Sequence, residues 1–343
     1  MAARVEYDVS HGPAEETRRA RATATRQWIR VFLVLGRSYL MDALVAADTK
    51  PFIGASFVAF MADCGAGVAA DTIVGYLSHV RMWHLERGHP DPWPTGLPLG
   101  QRALLGVRRV GKSPRGPSQA ITPVVLRLLL GTSIFSPLLS GGAALSAMSL
   151  LAFFAMLRRS EYLSDGSFDP ATDLTIGDFR FEFAADGTPA RLIITIKISK
   201  TDQYTNGTEV VVGLGFGGLC CVSVLYNYLA TWRRGASRMA PAFTMADGSP
   251  ATYAFLATGL RAALIGAGID PSSYAYHSFR SGGATAAAAE GVPEYLINLQ
   301  GRWASCVFLR YVRKDKRTLA VAMTNAEPDI LLHGTTKRAY RAT

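Results

Sequence analysis

Apolar residues recur with helical spacing through most of the first 110 residues. Segments 17–47, 51–63 and 71–88 place them three or four positions apart, as on the buried face of a helix. A Pro-rich loop at 90–98 separates these segments from a further short helix. The pattern predicts a helical N-terminal domain over residues 1–110.

The pattern changes after residues 111–123, whose sequence GKSPRGPSQAITP has the composition of a linker. An apolar helix ending in MLRRSEYL is followed by three strand-like runs, 173–184, 186–199 and 208–216, with Asp-Gly and Asn-Gly turns between them. The remainder is again helical. We predict a mainly α fold with a small antiparallel β-sheet (α+β), with a linker at 111–119 and a second domain at 120–343.

Charge and composition narrow the class of protein. Lys and Arg number 36 against 26 Asp and Glu, so the net charge of +10 favours a polyanionic partner. The four cysteines form no C-x-x-C pair, which fits a reducing compartment. The N-terminus lacks the apolar run of a signal peptide, and apolar segment 143–157 is shorter than the roughly 20 residues of a membrane span. We expect a protein that is not secreted, in the cytoplasm or nucleoid of a prokaryote or the nucleus of a eukaryote.

Two glycine-rich matches suggest nucleotide binding. GVRRVGKS, 106–113, fits the phosphate-binding loop, and GLGFGG, 213–218, fits the dinucleotide pattern. The first follows a helix-like segment instead of a buried strand and precedes helix-breaking prolines. The second follows a strand that we assign to an antiparallel meander, where a βαβ unit is needed. We therefore expect no nucleotide, and a linker role for the first segment.

The C-terminal third contains residues suited to phosphate chemistry. His277 and Arg280 are three positions apart at the start of a predicted helix, so their side chains share a face. A GRW sequence containing Trp303 follows, and then Tyr311 on the next predicted helix. In this order the residues resemble the tyrosine recombinases, the family that includes lambda integrase, Cre and the Xer proteins.

The resemblance extends upstream and covers about residues 120–315. MLRRSEYL resembles the family's L-R-x-S-E-L element, which implies that Arg158 is the first catalytic arginine and Glu161 its acidic support. IKISKTDQ resembles the hairpin that carries the family's lysine. Lys200 is the better match, and Lys197, within the predicted strand, is the second choice.

Two departures from the common family pattern concern the end of the site. Trp303 stands where most members have His, although Cre also has Trp there, and Tyr311 follows it by eight positions where many bacterial members have nine. The GRW…FLRYVR form is more similar to recombinases of eukaryotic DIRS-type mobile elements. Tyr274, Tyr276 and Tyr295 are nearby alternatives to the nucleophile; the last lies in VPEYLINLQ, which we predict to be a packed helix.

The resemblance implies a mechanism in which DNA strands are cut and rejoined. Two guanidiniums bind the non-bridging oxygens of the reacting phosphate, the indole donates a further hydrogen bond, and histidine transfers a proton. The lysine protonates the departing 5′-oxygen, while the tyrosine forms a 3′-phosphotyrosyl intermediate without ATP, metal or another cofactor. The implied catalytic residues are Arg158, Lys200, His277, Arg280, Trp303 and Tyr311, with Glu161 in support.

The resemblance also implies partners. The N-terminal half would be the core DNA-binding domain, and four protomers would assemble on two double-stranded DNA sites, with tail 319–343 docking on a neighbour. Cations around the linker are expected near DNA phosphates: Arg108, Arg109, Lys112 and Arg115. A DNA-binding protein that has lost catalysis and a type IB topoisomerase stay open as alternatives.

Overall fold

The two halves of the chain form separate compact units, Met1–Gly116 and Pro117–Thr343. The computed structural model describes residues 15–36, 40, 50–63, 68–94, 96–110, 118–164, 167–198, 207–215 and 219–303. Within these residues it contains ten α-helices and one three-stranded antiparallel sheet, which confirms the predicted fold class. None of the helices in this part of the chain combines the length and apolar character that crossing a membrane requires.

The described part of the first unit is helical and packs around aromatic side chains. Its helices are α1 (Glu15–Val34), α2 (Lys50–Asp63), α3 (Ala70–Glu86) and α4 (Pro98–Val110). Trp28 of α1 is fully buried, with its ring centroid 4.3 Å from that of Phe32, 5.0 Å from that of Phe57 and 5.8 Å from that of Trp93. Because such rings bury large apolar areas, this cluster stabilises the unit.

The first helix is shorter than the sequence pattern predicts. It ends at Val34, and Gly36 adopts a φ of +60° directly after it. This left-handed conformation is the usual way in which a glycine ends a helix. The helical spacing of segment 17–47 therefore does not reveal this end, because the apolar pattern continues through a residue that stops the helix.

Gly106, the first glycine of GVRRVGKS, is not in a loop that follows a strand. Gly106 lies inside α4, together with Arg108 and Arg109. Arg108 is exposed and pairs with Asp71 of α3, with 2.7 Å between its Nη2 and the Oδ1 of the carboxylate. The residues of this motif beyond Val110 lie outside the described part of the chain.

The second unit is built around a buried helix. Its helices are α5 (Pro123–Leu130), α6 (Ser140–Phe154), α7 (Cys221–Trp232), α8 (Tyr253–Gly266), α9 (His277–Ala289) and α10 (Glu294–Gly301). Residues 142–153 of α6 are buried, which agrees with the prediction that segment 143–157 contains a core helix. Helices α7 and α9 pack against it, so α6 organises the core of this unit.

The sheet is a meander of β1 (Phe179–Phe183), β2 (Pro189–Ile196) and β3 (Thr208–Gly213), with antiparallel pairing throughout. Ile194 is fully buried and lies between Phe179 and Val210 in register, so one face of the sheet closes the core. The antiparallel pairing of β3 also agrees with the interpretation that GLGFGG is not part of a βαβ nucleotide site.

The segment after α6 departs from the predicted continuous helix. The helix ends at Phe154, Met156 adopts a φ of +47°, and residues 159–161 form one turn of 3₁₀-helix. Arg158 occupies the cap position of that turn, and Glu161 closes it. MLRRSEYL is therefore a bend that turns these side chains toward α9 and α10, and its apolar content alone did not predict this.

Two consecutive glycines let α9 approach other backbone segments closely. A Cβ on Gly282 would lie 2.0 Å from the carbonyl oxygen of Ile121, and one on Gly283 would lie 2.1 Å from that of Phe153. Neither space admits a methyl group. The SGG sequence after H-x-x-R thus permits the close packing that brings Arg280 beside the end of α6.

We expect Gly283→Ala to lower the free energy of unfolding by about 3 kcal/mol or more, since the new methyl group meets backbone that cannot rotate away. Urea denaturation followed by circular dichroism measures this loss. Gly213→Ala is the matched control, because its Cβ meets no atom within 4 Å. A loss below about 1 kcal/mol for Gly283→Ala would contradict the close packing of α9.

Candidate active site

Arg158 and Glu161 form a rigid pair at the bend after α6. The carboxylate Oε1 accepts from Nη1 of Arg158 at 2.8 Å, and Oε2 accepts from the backbone N–H of the same residue at 2.7 Å. The Glu161 side chain has no exposed surface, whereas that of Arg158 is 18% exposed. Arg158 can therefore meet a ligand from a fixed position.

Arg302, the middle residue of GRW, supports this pair. Its Nη2 donates to Oε2 of Glu161 at 2.7 Å, and its own carbonyl accepts from Nη2 of Arg158 at 3.1 Å. Burial raises the pKa of Glu161, but the charge of Arg302 and the hydrogen bonds from Arg158 and Arg302 more than offset this. The net pKa lies below its usual value, so the carboxylate is ionised at neutral pH.

Arg280 enters the same cluster from α9. Its guanidinium donates to the carbonyl oxygens of Met156 and Gly301, and only 1% of the residue is exposed. The Met156 carbonyl also accepts from Nη2 of Arg302 at 3.1 Å. One carbonyl after α6 therefore binds two arginines, and the left-handed backbone of Met156 aims it at them.

Each of the three residues of GRW has its own structural role. Gly301 leaves room for the indole, because a Cβ there would lie 1.8 Å from a ring carbon of Trp303. Arg302 takes a left-handed conformation, with φ 53° and ψ 47°, that ends α10. Trp303 lays its ring over the Arg280 guanidinium, with 4.1 Å between Cζ and the ring centroid, a distance typical of cation–π contact.

His277 is the first residue of α9 and is exposed to solvent. Partial desolvation lowers its pKa, and the positive charges of Arg280, Arg159 and Arg158 lower it further. The Tyr276 ring lies 4.0 Å from the imidazole, measured between centroids. A neutral imidazole that can accept a proton is therefore the main form at pH 7.

This arrangement sits on a fold with known counterparts. No protein-family model matches the sequence, and no curated protein is significantly similar to it. Solved structures do match. XerH recombinase in a post-cleavage complex with palindromic difH substrate has a TM-score of 0.55 and 17% identity, over 88% of this chain and 76% of that one. The fold is that of the tyrosine recombinases.

Two further solved structures are similar to this chain. Tn1549 transposon integrase in complex with transposon right-end DNA has a TM-score of 0.55 and 13% identity, over 92% of this chain and 94% of that one. A lambda integrase dimer bound to a COC′ core site has a TM-score of 0.55 and 12% identity, over 92% and 95% of the two chains. At these identities the likeness concerns the tyrosine recombinase fold and not the chemistry.

The described residues bring together most of the site that the sequence predicts for this fold. Arg158, Glu161, Arg280 and Trp303 meet through the contacts given above, and His277 lies on the same helix as Arg280. Other predicted residues lie outside the described part of the chain: Lys200, Tyr311, Lys112 and Arg115.

Lys197, the second choice for the lysine of a tyrosine recombinase, is occupied elsewhere. Its Nζ lies 2.7 Å from Oδ2 of Asp178 and donates to the carbonyls of Pro170 and Asp173 at 2.8 and 2.9 Å. These contacts hold the end of β2 against the preceding loop. The side chain of Lys197 is therefore committed to structural contacts.

The sequence interpretation missed Arg302, Met156 and Arg159. The first two act through backbone conformation and distant hydrogen bonds, for which a single sequence gives no signal. Arg159 follows Arg158 directly, and its Cζ lies 5.1 Å from the ring centroid of Tyr253 and 5.6 Å from that of Tyr276. Its guanidinium is thus placed against the ring that contacts His277, and the repeated arginine in MLRRSEYL was an available clue.

We expect Arg159→Gln to raise the pKa of His277 toward its usual value, because the substitution removes a positive charge that disfavours the imidazolium. NMR titration of the imidazole signals measures the shift. If His277 accepts a proton in the reaction, the acidic limb of DNA cleavage moves to higher pH with it. Arg191→Gln, on the exposed side of the sheet, is the control. An unchanged His277 titration in Arg159→Gln would contradict this electrostatic account.

Proposed function

We propose that the protein is a site-specific DNA recombinase that cleaves and rejoins DNA strands through a 3′-phosphotyrosyl intermediate. The observation that carries the proposal is the convergence of Arg158, Arg280, His277 and Trp303 at one place on the tyrosine recombinase fold. Each of these residue types matches a need of phosphodiester transfer.

The arginines supply the binding of the reacting phosphate. Phosphoryl transfer concentrates negative charge on the non-bridging oxygens, and guanidiniums stay protonated at any working pH. Arg158 is partly exposed and fixed by Glu161, so it can donate to those oxygens directly. Arg280 is almost fully buried, so neighbouring residues must move when DNA binds if it is to do the same.

His277 and Lys200 are the proposed proton-transfer residues. The lowered pKa of His277 leaves an imidazole able to help remove the proton from the attacking tyrosine. Lys200 protonates the departing 5′-oxygen, a role that needs an ammonium close to the phosphate. The structural engagement of Lys197 supports this choice between the two lysines.

Tyr311 is the proposed nucleophile. A free tyrosine hydroxyl has a pKa near 10, so its attack requires a positive pocket and a base. The phosphotyrosyl bond keeps the energy of the phosphodiester, and ligation therefore needs no ATP. Neither the proposed cleavage nor the rejoining calls for a metal or another cofactor.

Double-stranded DNA is the proposed partner. The net charge of +10 favours a polyanion, and XerH, Tn1549 integrase and lambda integrase were solved with DNA. We propose that the first unit is the core DNA-binding domain and that four protomers assemble on two sites. The cations at the end of α4 and in the linker would lie near phosphates: Arg108, Arg109, Lys112 and Arg115.

We expect Lys200→Met to cut DNA poorly, because the alkoxide leaves without a proton, and to recover on a substrate whose scissile 5′-oxygen is replaced by sulfur. A thiolate is a far better leaving group and needs no acid. Single-turnover cleavage of both substrates measures the recovery. Lys197→Met is the comparison and should show no selective gain on the sulfur substrate. If Lys200→Met cleaves both substrates equally slowly, Lys200 does not protonate the departing 5′-oxygen.

Two-site and one-site assays separate the proposed function from its alternatives. A recombinase exchanges strands between two copies of its site, whereas a type IB topoisomerase relaxes supercoiled DNA without a partner site. A DNA-binding protein that has lost catalysis does neither. Inverted repeats in the DNA flanking the gene provide the first substrates. Binding without cleavage on such repeats would favour the inactive protein, and relaxation without exchange would favour the topoisomerase.

A further inference from the structure

Arg302 has the burial and hydrogen bonding of a residue that organises a site without touching its substrate. Only 5% of its side chain is exposed. Its Nη1 donates to the carbonyls of Ala155 and Gln300 at 3.3 and 2.7 Å, and Nη2 donates to Met156 and Glu161 at 3.1 and 2.7 Å. The four N–H groups of the two terminal nitrogens thus have protein acceptors, which leaves them unable to bind a phosphate.

The backbone of Arg302 also has an unusual conformation. Among the described residues, Met156 and Arg302 are the two non-glycine residues with positive φ, at 47° and 53°. Non-glycine residues adopt this conformation rarely, and its retention marks a place where the surroundings demand it. Here the two strained residues are joined to each other, because the Met156 carbonyl accepts from Arg302.

Arg158 is held at two points, and both involve Arg302. One is the Glu161 carboxylate, whose second oxygen binds Arg302. The other is the Arg302 carbonyl, 3.1 Å from Nη2 of Arg158. Arg280 is tied to the same group, since it shares the Met156 acceptor with Arg302. The two arginines proposed to bind phosphate are therefore connected through this single side chain.

We propose that Arg302 is a positioning residue that fixes Arg158 through Glu161 and locks Arg158 and Arg280 in one arrangement around the phosphate. This inference rests on the proposed function and deepens it, because it gives the middle residue of GRW a task separate from that of Trp303. An arginine is required at this position. A lysine presents one nitrogen and cannot reach a carboxylate and three carbonyls on different segments.

Arg302→Gln tests the inference through a separation of rate from affinity. We expect the single-turnover rate of DNA cleavage to fall about 100-fold, as displacement of a reacting group by about 1 Å can do. The dissociation constant for the DNA site, measured by gel shift, should stay within about threefold of wild type, because Arg302 does not reach DNA. Arg302→Lys, which keeps the charge, should be nearly as slow.

A double-mutant cycle tests whether Arg302 acts through Glu161. The double variant Glu161→Gln/Arg302→Gln should be about as slow as the slower single variant, since both substitutions release the same guanidinium. Arg233→Gln is the matched control. Arg233 lies in the same unit, and its Nη2 donates to the Pro241 carbonyl at 2.9 Å, so its loss should leave cleavage unchanged.

A second readout does not depend on catalysis. The Nε–H signal of Arg158 in the NMR spectrum should be dispersed and slow to exchange in the wild type, and should be broadened or exchange rapidly in Arg302→Gln. An unchanged Arg158 signal would overturn the inference even if the wild type cleaves no DNA, which would itself overturn the proposed function. A cleavage rate within about threefold of wild type, or a fall in rate matched by losses of melting temperature and DNA affinity, would also overturn it.

Discussion

Arg158→Ala is expected to reduce the single-turnover rate of DNA cleavage about 1,000-fold or more. Removal of one transition-state donor commonly costs 10²- to 10³-fold, or about 3 to 4 kcal/mol, and Arg158 offers two terminal nitrogens from a fixed position. The protein should fold, because Glu161 keeps its ion pair with Arg302. Rapid-quench measurement on a DNA substrate that traps the covalent product gives the rate.

Controls for Arg158→Ala separate chemistry from folding. Arg233→Ala removes an arginine of the same unit that binds a backbone carbonyl, and its cleavage rate should match that of the wild type. Arg280→Ala should lose both activity and stability, since the residue is almost fully buried. A rate for Arg158→Ala above about a tenth of the wild-type value would show that this arginine does not bind the reacting phosphate.

Tyr311→Phe is expected to abolish the covalent DNA adduct while leaving DNA binding intact. The change removes one oxygen and almost no volume, so packing and affinity should stay close to those of the wild type. Without the hydroxyl there is no nucleophile, and cleavage should fall below detection. Denaturing gels of the reaction measure the adduct, and gel shift measures binding.

Tyr295→Phe is the matched control for the nucleophile. Tyr295 is 68% exposed on α10 and is therefore an accessible tyrosine near GRW. The prediction that VPEYLINLQ is a packed helix holds for Ile297, which is buried. It is wrong for Tyr295 and for Leu299, which is 71% exposed. Tyr295→Phe should form the adduct normally. An adduct that survives in Tyr311→Phe would exclude Tyr311 and leave Tyr295 and the other tyrosines to be tested.

The fold could be predicted where local pattern and tertiary structure agree. The long apolar run became α6 because a helix without a polar face must be surrounded by other elements. The strand-like runs became a meander with glycines of positive φ at the connections: Gly187 lies between β1 and β2, and Gly207 lies immediately before β3. In both cases the pattern that predicts each helix or strand lies within that element and the residues next to it.

The geometry of the site could not be predicted in the same way. Met156 has a left-handed conformation, and its carbonyl accepts a hydrogen bond from Arg302, which is 146 residues away in the sequence. Gly282 is needed because of a carbonyl at Ile121, which the sequence around α9 does not reveal. Motif order predicts which residues form the site, but not that Arg302 connects Arg158 and Glu161.

Arg158 and Arg302 differ in how many of their N–H groups have acceptors in the protein, a difference that their sequence does not reveal. Arg158 has exposed surface, and each of its terminal nitrogens makes one of the hydrogen bonds given above. Arg302 is buried and saturated at both terminal nitrogens. Arg158 is thus accessible to a substrate, whereas both terminal nitrogens of Arg302 are committed to protein acceptors.

The most direct test is the identification of the residue that becomes joined to DNA. The wild-type protein is incubated with a nicked substrate carrying the flanking inverted repeat, and the adduct is digested and sequenced by mass spectrometry. We expect a peptide linked through Tyr311 to a 3′-phosphate, with a free 5′-hydroxyl on the released strand. A linkage to another residue, a 5′-phosphate linkage, or no adduct on DNA that the protein binds would contradict it.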